Sequence, residues 1–441
     1  MRVFRGLIDF FAVTLAARDE DVTRIVVARA REQGGRQDAS IVNAGFRADA
    51  ALAAYVNGAM AHALDYDDVV HANPFWMGHP SVAIVPAILA VAERANASGR
   101  DLILAYCLGV EIYVRVGLFC GDAGYKLGWH NTSYIGTMAA AGASARLLGL
   151  DETQTRRCFG IAASMASGLR QNFGTMTKPL HAGLAARNGV EAALLAQAGL
   201  TADENIFEAK LGFRRVFNGG DDMAGGLLPY GHENISAEAF ARLLGKPWAM
   251  ESPGLTFKIC PSCRATHFGM EAALWYRENR AADIPHLTSI DAHVPDHMSS
   301  VLFYHRPAKG LEGKFSLEYV MARTLLDGVP KIDDFTDDRV RAPEIRALVD
   351  KINWLPFAPP QGEFGVPRFL FKHADGDVCE RAVEYPRGEP ENPVSDALLI
   401  DKFHDCARPV IGDDARAELL AKIAALETAG DVAGLADVYR G

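Results

Sequence analysis

At 441 residues the chain exceeds what one ordinary core accommodates, so two domains are the default expectation. Its composition, 49% hydrophobic and 23% charged, is that of a soluble globular enzyme, and a net charge of −10 disfavours nucleic acid and anionic membranes as partners. Seven cysteines, odd in number and without framework spacing, suggest a reducing compartment and a cytoplasmic protein.

The N-terminal stretch has early arginines and an apolar run, but Asp9 interrupts the run, while Leu7, Phe10, Phe11 and Leu15 recur at helical spacing; an amphipathic first helix is expected rather than a signal peptide. No window is expected to supply the ~20 apolar residues of a membrane span. Small-residue helices follow over 51–63 and 81–95, then over 102–119, 133–148, 153–167 and 183–198, giving an almost purely helical texture to about residue 250. The texture then changes. A helix over 263–279 precedes an alternating run at 287–294 that reads as a strand, 315–327 is helical, and 368–373 with Asp375-Gly376 reads as a strand entering a hairpin turn. Proline-rich stretches at 356–360 and 386–393 bracket the end of this region, and the tail over 396–439 returns to helix with Ser395 as N-cap. The expected fold is mainly α: a large all-helical domain built from residues 1–254 and 393–441, with an inserted smaller α+β lid domain over 255–392.

The most informative run is His62-Ala-Leu-Asp65-Tyr-Asp67-Asp68-Val-Val-His71, followed by Gly78-His79-Pro80-Ser81, at a corner between two helices. Four basic residues stand near the mouths of small-residue helices: His79 before Pro80, His130 before Asn131, Lys178 before Pro179, and Lys258 before Pro261-Ser262. Helix N-termini present unpaired N–H groups and the positive end of the dipole, so together these mouths predict a site for a small polyanion. Asp65, set among cations, can stay ionised and serve as a base or orient a histidine, whereas Asp67-Asp68 reads equally as a turn cap. Phosphate-binding loops, dinucleotide fingerprints and nucleophile elbows are absent. Cys260-Pro-Ser-Cys263 has redox spacing without a thioredoxin-like setting, and a metal on Asp67, Asp68, His71 and His79 lacks a supporting ligand pair; no metal and no cofactor are expected.

An ordered series of segments resembles the MmgE/PrpD family: Asn57-Gly58 with His62 to Asp68, Gly78 to Ser81, Gly128-Trp-His130-Asn-Thr132-Ser133, Thr177-Lys178-Pro179-Leu-His181-Ala-Gly183, Lys258 with Pro261-Ser-Cys263-Arg264-Ala-Thr-His267, Lys314-Phe315-Ser316-Leu-Glu-Tyr319, and Gly388 to Pro393. The resemblance implies a homodimer and a cofactor-independent activity such as 2-methylcitrate dehydration, cis-aconitate decarboxylation or iminodisuccinate epimerisation. It implicates Asp65, His79, His130 and Lys178 as catalytic, and Lys258, Tyr319 and Cys263 as substrate-binding. Three departures weaken the decarboxylase reading: Val69 where a threonine is usual, a longer spacer over 72–78, and Cys263 in place of a histidine. The chain also begins inside what resembles the family's second helix, which implies that a short N-terminal element is missing. The expected function is a hydro-lyase acting on a small di- or tricarboxylate, with epimerisation the alternative and decarboxylation or mere polyanion binding behind it.

Overall fold

The computed structural model describes residues 2–72, 75–121, 123–217, 241–360 and 363–440. The fold is mainly helical. Its first part is built from α1 (Arg2–Ala16), α2 (Asp21–Gln33), α3 (Ala50–His62), α4 (Ser81–Ala95), α5 (Gly99–Cys120), α6 (Ala123–Leu127), α7 (Asn131–Leu147), α8 (Glu152–Met165) and α9 (Thr177–Gln197). Helix α7 is buried throughout from Asn131 to Ala145. A helix enclosed on all sides needs small residues wherever a neighbour's backbone passes. Glycine supplies that between α3 and α9: a Cβ on Gly58 would stand 2.9 Å from Gly183 Cα, and one on Gly183 would strike the Tyr55 carbonyl oxygen. Gly183→Ala is therefore expected to destabilise the protein by about 2–3 kcal/mol through overpacking, read from the urea midpoint; an unchanged midpoint would mean the helices part without cost.

Against the expectation for membrane spans, α5 is long and apolar enough to cross one, but 67% of its most apolar window is buried inside the protein. It serves here as a core helix. The helical texture also conceals two short antiparallel pairs. These are β1 (Ala39–Ser40) with β2 (Arg47–Ala48), and β3 (Val70–Ala72) with β4 (Phe75–Gly78). The second pair occupies the polar corner that periodicity reads as loop.

The mixed region contains one four-stranded sheet in the order β6-β5-β7-β8. Strand β5 (Leu287–Pro295) lies between β6 (Ile352–Phe357), which runs parallel to it with Ile290 opposite Ile352, and β7 (Arg368–His373), antiparallel with Ala292 opposite Phe369. Strand β8 (Val378–Ala382) closes the expected hairpin. The helices His267–Arg280 and Leu317–Asp327 pack on each other, and Tyr276 of the first stacks on Phe371 of β7 with ring centroids 4.3 Å apart. Strand β6 escapes sequence reading because proline and asparagine interrupt it and its parallel partner lies far away in the chain.

Buried apolar side chains fall into two clusters. One joins residues from Val3 to Phe257 with Val394 to Tyr439, and the other runs from Cys260 to Val383 and takes in Phe173. The two chain ends meet in the first cluster, where Lys402 Nζ donates to Asp9 Oδ1 at 2.7 Å, both side chains being buried. Ser395 caps Asp396–Ala407, accepting from the Leu398 amide at 3.1 Å.

Candidate active site

Helix α3 ends at His62, and the chain turns through Leu64, whose carbonyl accepts from Lys314 Nζ at 2.6 Å. Asp65 follows with φ of 52°, left-handed backbone that a non-glycine residue seldom adopts. Its carboxylate is gripped from two sides. Lys178 Nζ donates to Oδ2 at 2.7 Å, while Lys258 Nζ donates to Oδ1 at 2.5 Å and to the Asp65 carbonyl at 2.8 Å. All three side chains are buried. Burial alone would raise the Asp65 carboxyl, but Lys178 and Lys258 outweigh it and hold the group well below the usual carboxylate range.

Two residues on, Asp67 takes two imidazoles. His62 Nδ1 lies 3.0 Å from Oδ1 and His79 Nδ1 2.7 Å from Oδ2. Burial opposes the Asp67 charge, yet these two histidines keep its carboxyl well below the ordinary value. Burial also pushes His79 down to about 3, against the pull of Asp67, and lowers His62. An ionised carboxylate only accepts hydrogen bonds, so neutral His62 and neutral His79 must both carry their proton on Nδ1. Their Nε2 atoms are then lone pairs. That of His79 sits 3.8 Å from Asp65 Oδ1, and that of His62 has no partner among the described residues.

His79 is set by its neighbours on both sides. The φ of 96° at Gly78 belongs to glycine, and a Cβ there would come within 2.8 Å of Thr132 Oγ1, the atom that accepts from the His79 amide at 3.2 Å. Asp68 faces away from the cavity and accepts from Ser81 Oγ at 2.5 Å at the head of α4. Burial and the nearby Asp9 charge raise its carboxyl well above the usual range.

A second imidazole pair lies across from the first. His130, the residue before α7, places Nδ1 3.0 Å from His181 Nδ1 on α9, so one ring donates and the other accepts. Burial, the neighbouring His181 and Lys178 hold His130 well below its ordinary value, and burial takes His181 to about 4. The His130 ring edges onto Phe173, centroids 4.8 Å apart.

These groups surround a cavity of ≈ 40 Å³. Its walls come from both parts of the chain: Val69, His79, His130, Thr132 and Lys178 on one side, Cys263, Arg264, Val301 and Phe315 on the other. Of the residues singled out from sequence, His79, His130, Lys178 and Cys263 line this space. Asp65 and Lys258 stand behind it, Lys258 with no exposed surface. Tyr319 lies elsewhere: its hydroxyl donates to the Asp334 carbonyl and its ring meets Phe335 at 5.6 Å. Burial raises the thiols of both Cys260, to about 12, and Cys263, so neither is the thiolate that redox chemistry needs. Sequence reasoning left Asp67 as a turn cap and gave no role to His62 or His181; the spacings from Asp67 to His62 and to His79 carry a signal only once the β3–β4 pair folds the segment back on itself.

Ligand atoms of His62, Asp65, Asp67 and His79 lie within 4.8 Å of one another, a grouping that could hold a metal ion. The donor set fits ammonium groups instead, because both Asp65 oxygens accept from lysines and both histidine Nδ1 atoms are spent on Asp67. Two negative and two positive side chains already balance there.

Fold and site together define a mainly helical protein in which imidazoles and the Lys178 ammonium border a small cavity backed by buried carboxylates, an arrangement suited to proton transfer on an anionic ligand. The chain belongs to the MmgE/PrpD family: residues 2–225 match its N-terminal domain and residues 260–427 its C-terminal domain. The second match runs past 393 into helices whose apolar side chains join the first cluster. The chain is 29% identical to cis-aconitate decarboxylase of Mus musculus over 411 residues, covering 90% of this chain and 80% of that protein. Identity is 28% to the Homo sapiens cis-aconitate decarboxylase, covering 88% and 79%, and 27% to that of Aspergillus terreus, covering 90% and 83%. Family and relatives are enzymes of the lyase type.

Proposed function

We propose that this protein is a lyase of small di- or tricarboxylates whose reaction turns on a proton exchanged at a carbon next to a carboxylate, and that water is the group eliminated. One observation carries the reading: Asp67 holds His79 as a neutral imidazole with its Nε2 lone pair free at the cavity. Such a group begins a reaction as a base. Removing an α-proton leaves negative charge on the adjoining carboxylate, which Lys178 and the first amides of α7 are placed to stabilise. The proton from carbon goes to His79 Nε2; His130, having taken a proton from solvent as the anionic substrate binds beside it, gives that proton to the departing hydroxyl, and water leaves with the C–O bond pair. Asp65 keeps Lys178 and Lys258 charged and in place.

A cavity of ≈ 40 Å³ has room for two or three waters at most. A six- or seven-carbon acid therefore enters only if the wall of Cys263, Arg264, Val301 and Phe315 moves away from the histidines. That wall belongs to the mixed region, which we assign the role of a lid over residues 255–392, the remainder forming the main domain of a cytoplasmic homodimer.

Decarboxylation is the second reading, favoured by the activity of the relatives and by apolar surface at Phe173 and Phe315, where a carboxylate is desolvated. Loss of CO₂ leaves the same kind of charge, and an imidazole must then protonate carbon instead of taking its proton. Proton NMR in D₂O with citrate, 2-methylcitrate, cis-aconitate and iminodisuccinate separates the cases. The expected result is a new alkene signal with all carbons retained. Release of CO₂ would replace this reading by decarboxylation, deuterium uptake without a new skeleton by epimerisation, and no change with any acid would remove the enzyme reading altogether.

A further inference from the structure

Among the described residues, Arg264 lines the cavity with most of its hydrogen-bonding capacity left unused by the surrounding protein. It follows Cys263 in a single 3₁₀ turn, Arg264–Thr266, and its side chain is 2% exposed. Its guanidinium stacks over the Phe268 ring, 5.0 Å from the centroid, and one Nη2 edge is ion-paired with Glu389. Glu389 is itself fixed by the Thr256 hydroxyl, which donates to it at 2.5 Å. Among the described residues, Nε, Nη1 and Nη2 make no hydrogen bond of ordinary geometry. Buried donors without acceptors are costly, and a planar fork clamped on one face by an aromatic ring and on one edge by a carboxylate is preorganised for another planar acceptor.

The cavity supplies the place for that acceptor. Lys178 and Arg264 both border it. We propose that Arg264 receives a second carboxylate of the substrate while Lys178 receives the one beside the reacting carbon, so that the site selects polycarboxylates. The assignment rests on the lyase reading above and narrows it: the acid must carry two carboxylates, one for Lys178 and one that meets the Arg264 fork bidentately, so acids with a single carboxylate bind more weakly. Glu389 acts as the positioning residue that keeps the guanidinium turned toward the cavity.

The test uses unreactive probes with the intact protein. Calorimetry compares glutarate with valerate, which has the same five-carbon backbone without the second carboxylate. Wild type is expected to bind glutarate more tightly by about 10–100-fold, the range for a charge-assisted bidentate contact. Arg264→Gln should erase that preference and leave valerate binding within about threefold of wild type, and Arg264→Lys, which keeps charge but not the fork, should restore only part of it. Thermal melting accompanies each variant; should Arg264→Gln not fold, Arg264→Lys carries the comparison. Unchanged preference in a folded variant would overturn the role of Arg264 while leaving the lyase reading standing. Binding of neither probe by wild type would overturn both.

Discussion

Asp67→Asn is expected to lower kcat by about 10³–10⁴-fold, the scale seen when a carboxylate that orients a catalytic histidine is neutralised. The carboxylate accepts from two Nδ1–H groups at once, those of His62 and His79. An asparagine has one acceptor oxygen and one donor amide, so it satisfies only one ring as found and requires the other to turn its lone pair inward. Where His79 is the ring that changes, its Nε2 carries a proton and ceases to be a base. Where His62 changes, its Nε2–H points into a place with no acceptor among the described residues. Both outcomes also remove the charge that stabilises an imidazolium at His79 during turnover. Because Asp67 does not border the cavity, KM should move far less than kcat. Steady-state kinetics on the substrate found by NMR, with thermal melting to verify the fold, gives the answer. A folded variant within tenfold of wild-type kcat would mean that His79 is not oriented through Asp67 in the reaction.

Sequence reading reached the site by its cations and missed the group that organises it. Lys178, His79 and His130 announce themselves because each stands beside a proline or cap residue at the start of a small-residue helix. Asp65 was legible as a carboxylate among cations, but its task is different from orienting a histidine: both its oxygens belong to lysines. That orienting task falls to Asp67, two residues on, and the exchange follows from the left-handed turn at Asp65, which sends consecutive acidic side chains in separate directions. Tyr319 illustrates the converse. Its motif matches, yet its position in the helix Leu317–Asp327, one turn after the Ser316 cap, leads its hydroxyl to Asp334. The helical elements were readable because small residues repeat at helical spacing along α3, α4, α7 and α9, the helices that enclose the site. The β3–β4 pair was not, since three or four residues give no periodicity to read.

Acid should unfold this protein unusually early, and the buried imidazoles are the reason. Burial, the largest cause in each case, lowers His62, His71, His79, His130, His181 and His267, with His181 at about 4 and His79 at about 3. In the unfolded chain each titrates near its ordinary value of 6.5. Below that pH the unfolded state binds protons that the folded state refuses, so the stability is whole above about 6.5 and is lost as pH falls toward the folded values. Asp9 and Asp68 act in the opposite sense, because burial raises both and the folded state takes up their protons first. Asp65 and Asp67, held well below the usual range, add their own loss only beneath about pH 4, where the unfolded carboxylates protonate. The balance between pH 6 and 4 is a net uptake on unfolding of up to about four protons, a slope on the order of 5 kcal/mol per pH unit at its steepest. A folding free energy of roughly 5–15 kcal/mol does not survive two such units, so an acid midpoint near pH 5 is expected. Urea unfolding at pH 7.5, 6.5, 6.0 and 5.5 checks the slope, and His181→Gln, which removes one titrating ring from the set, should flatten it by about one proton. Stability independent of pH from 7 to 5 would mean that these histidines are protonated in the folded protein. The neutral-base role of His79, on which the proposed elimination depends, would fall with that result.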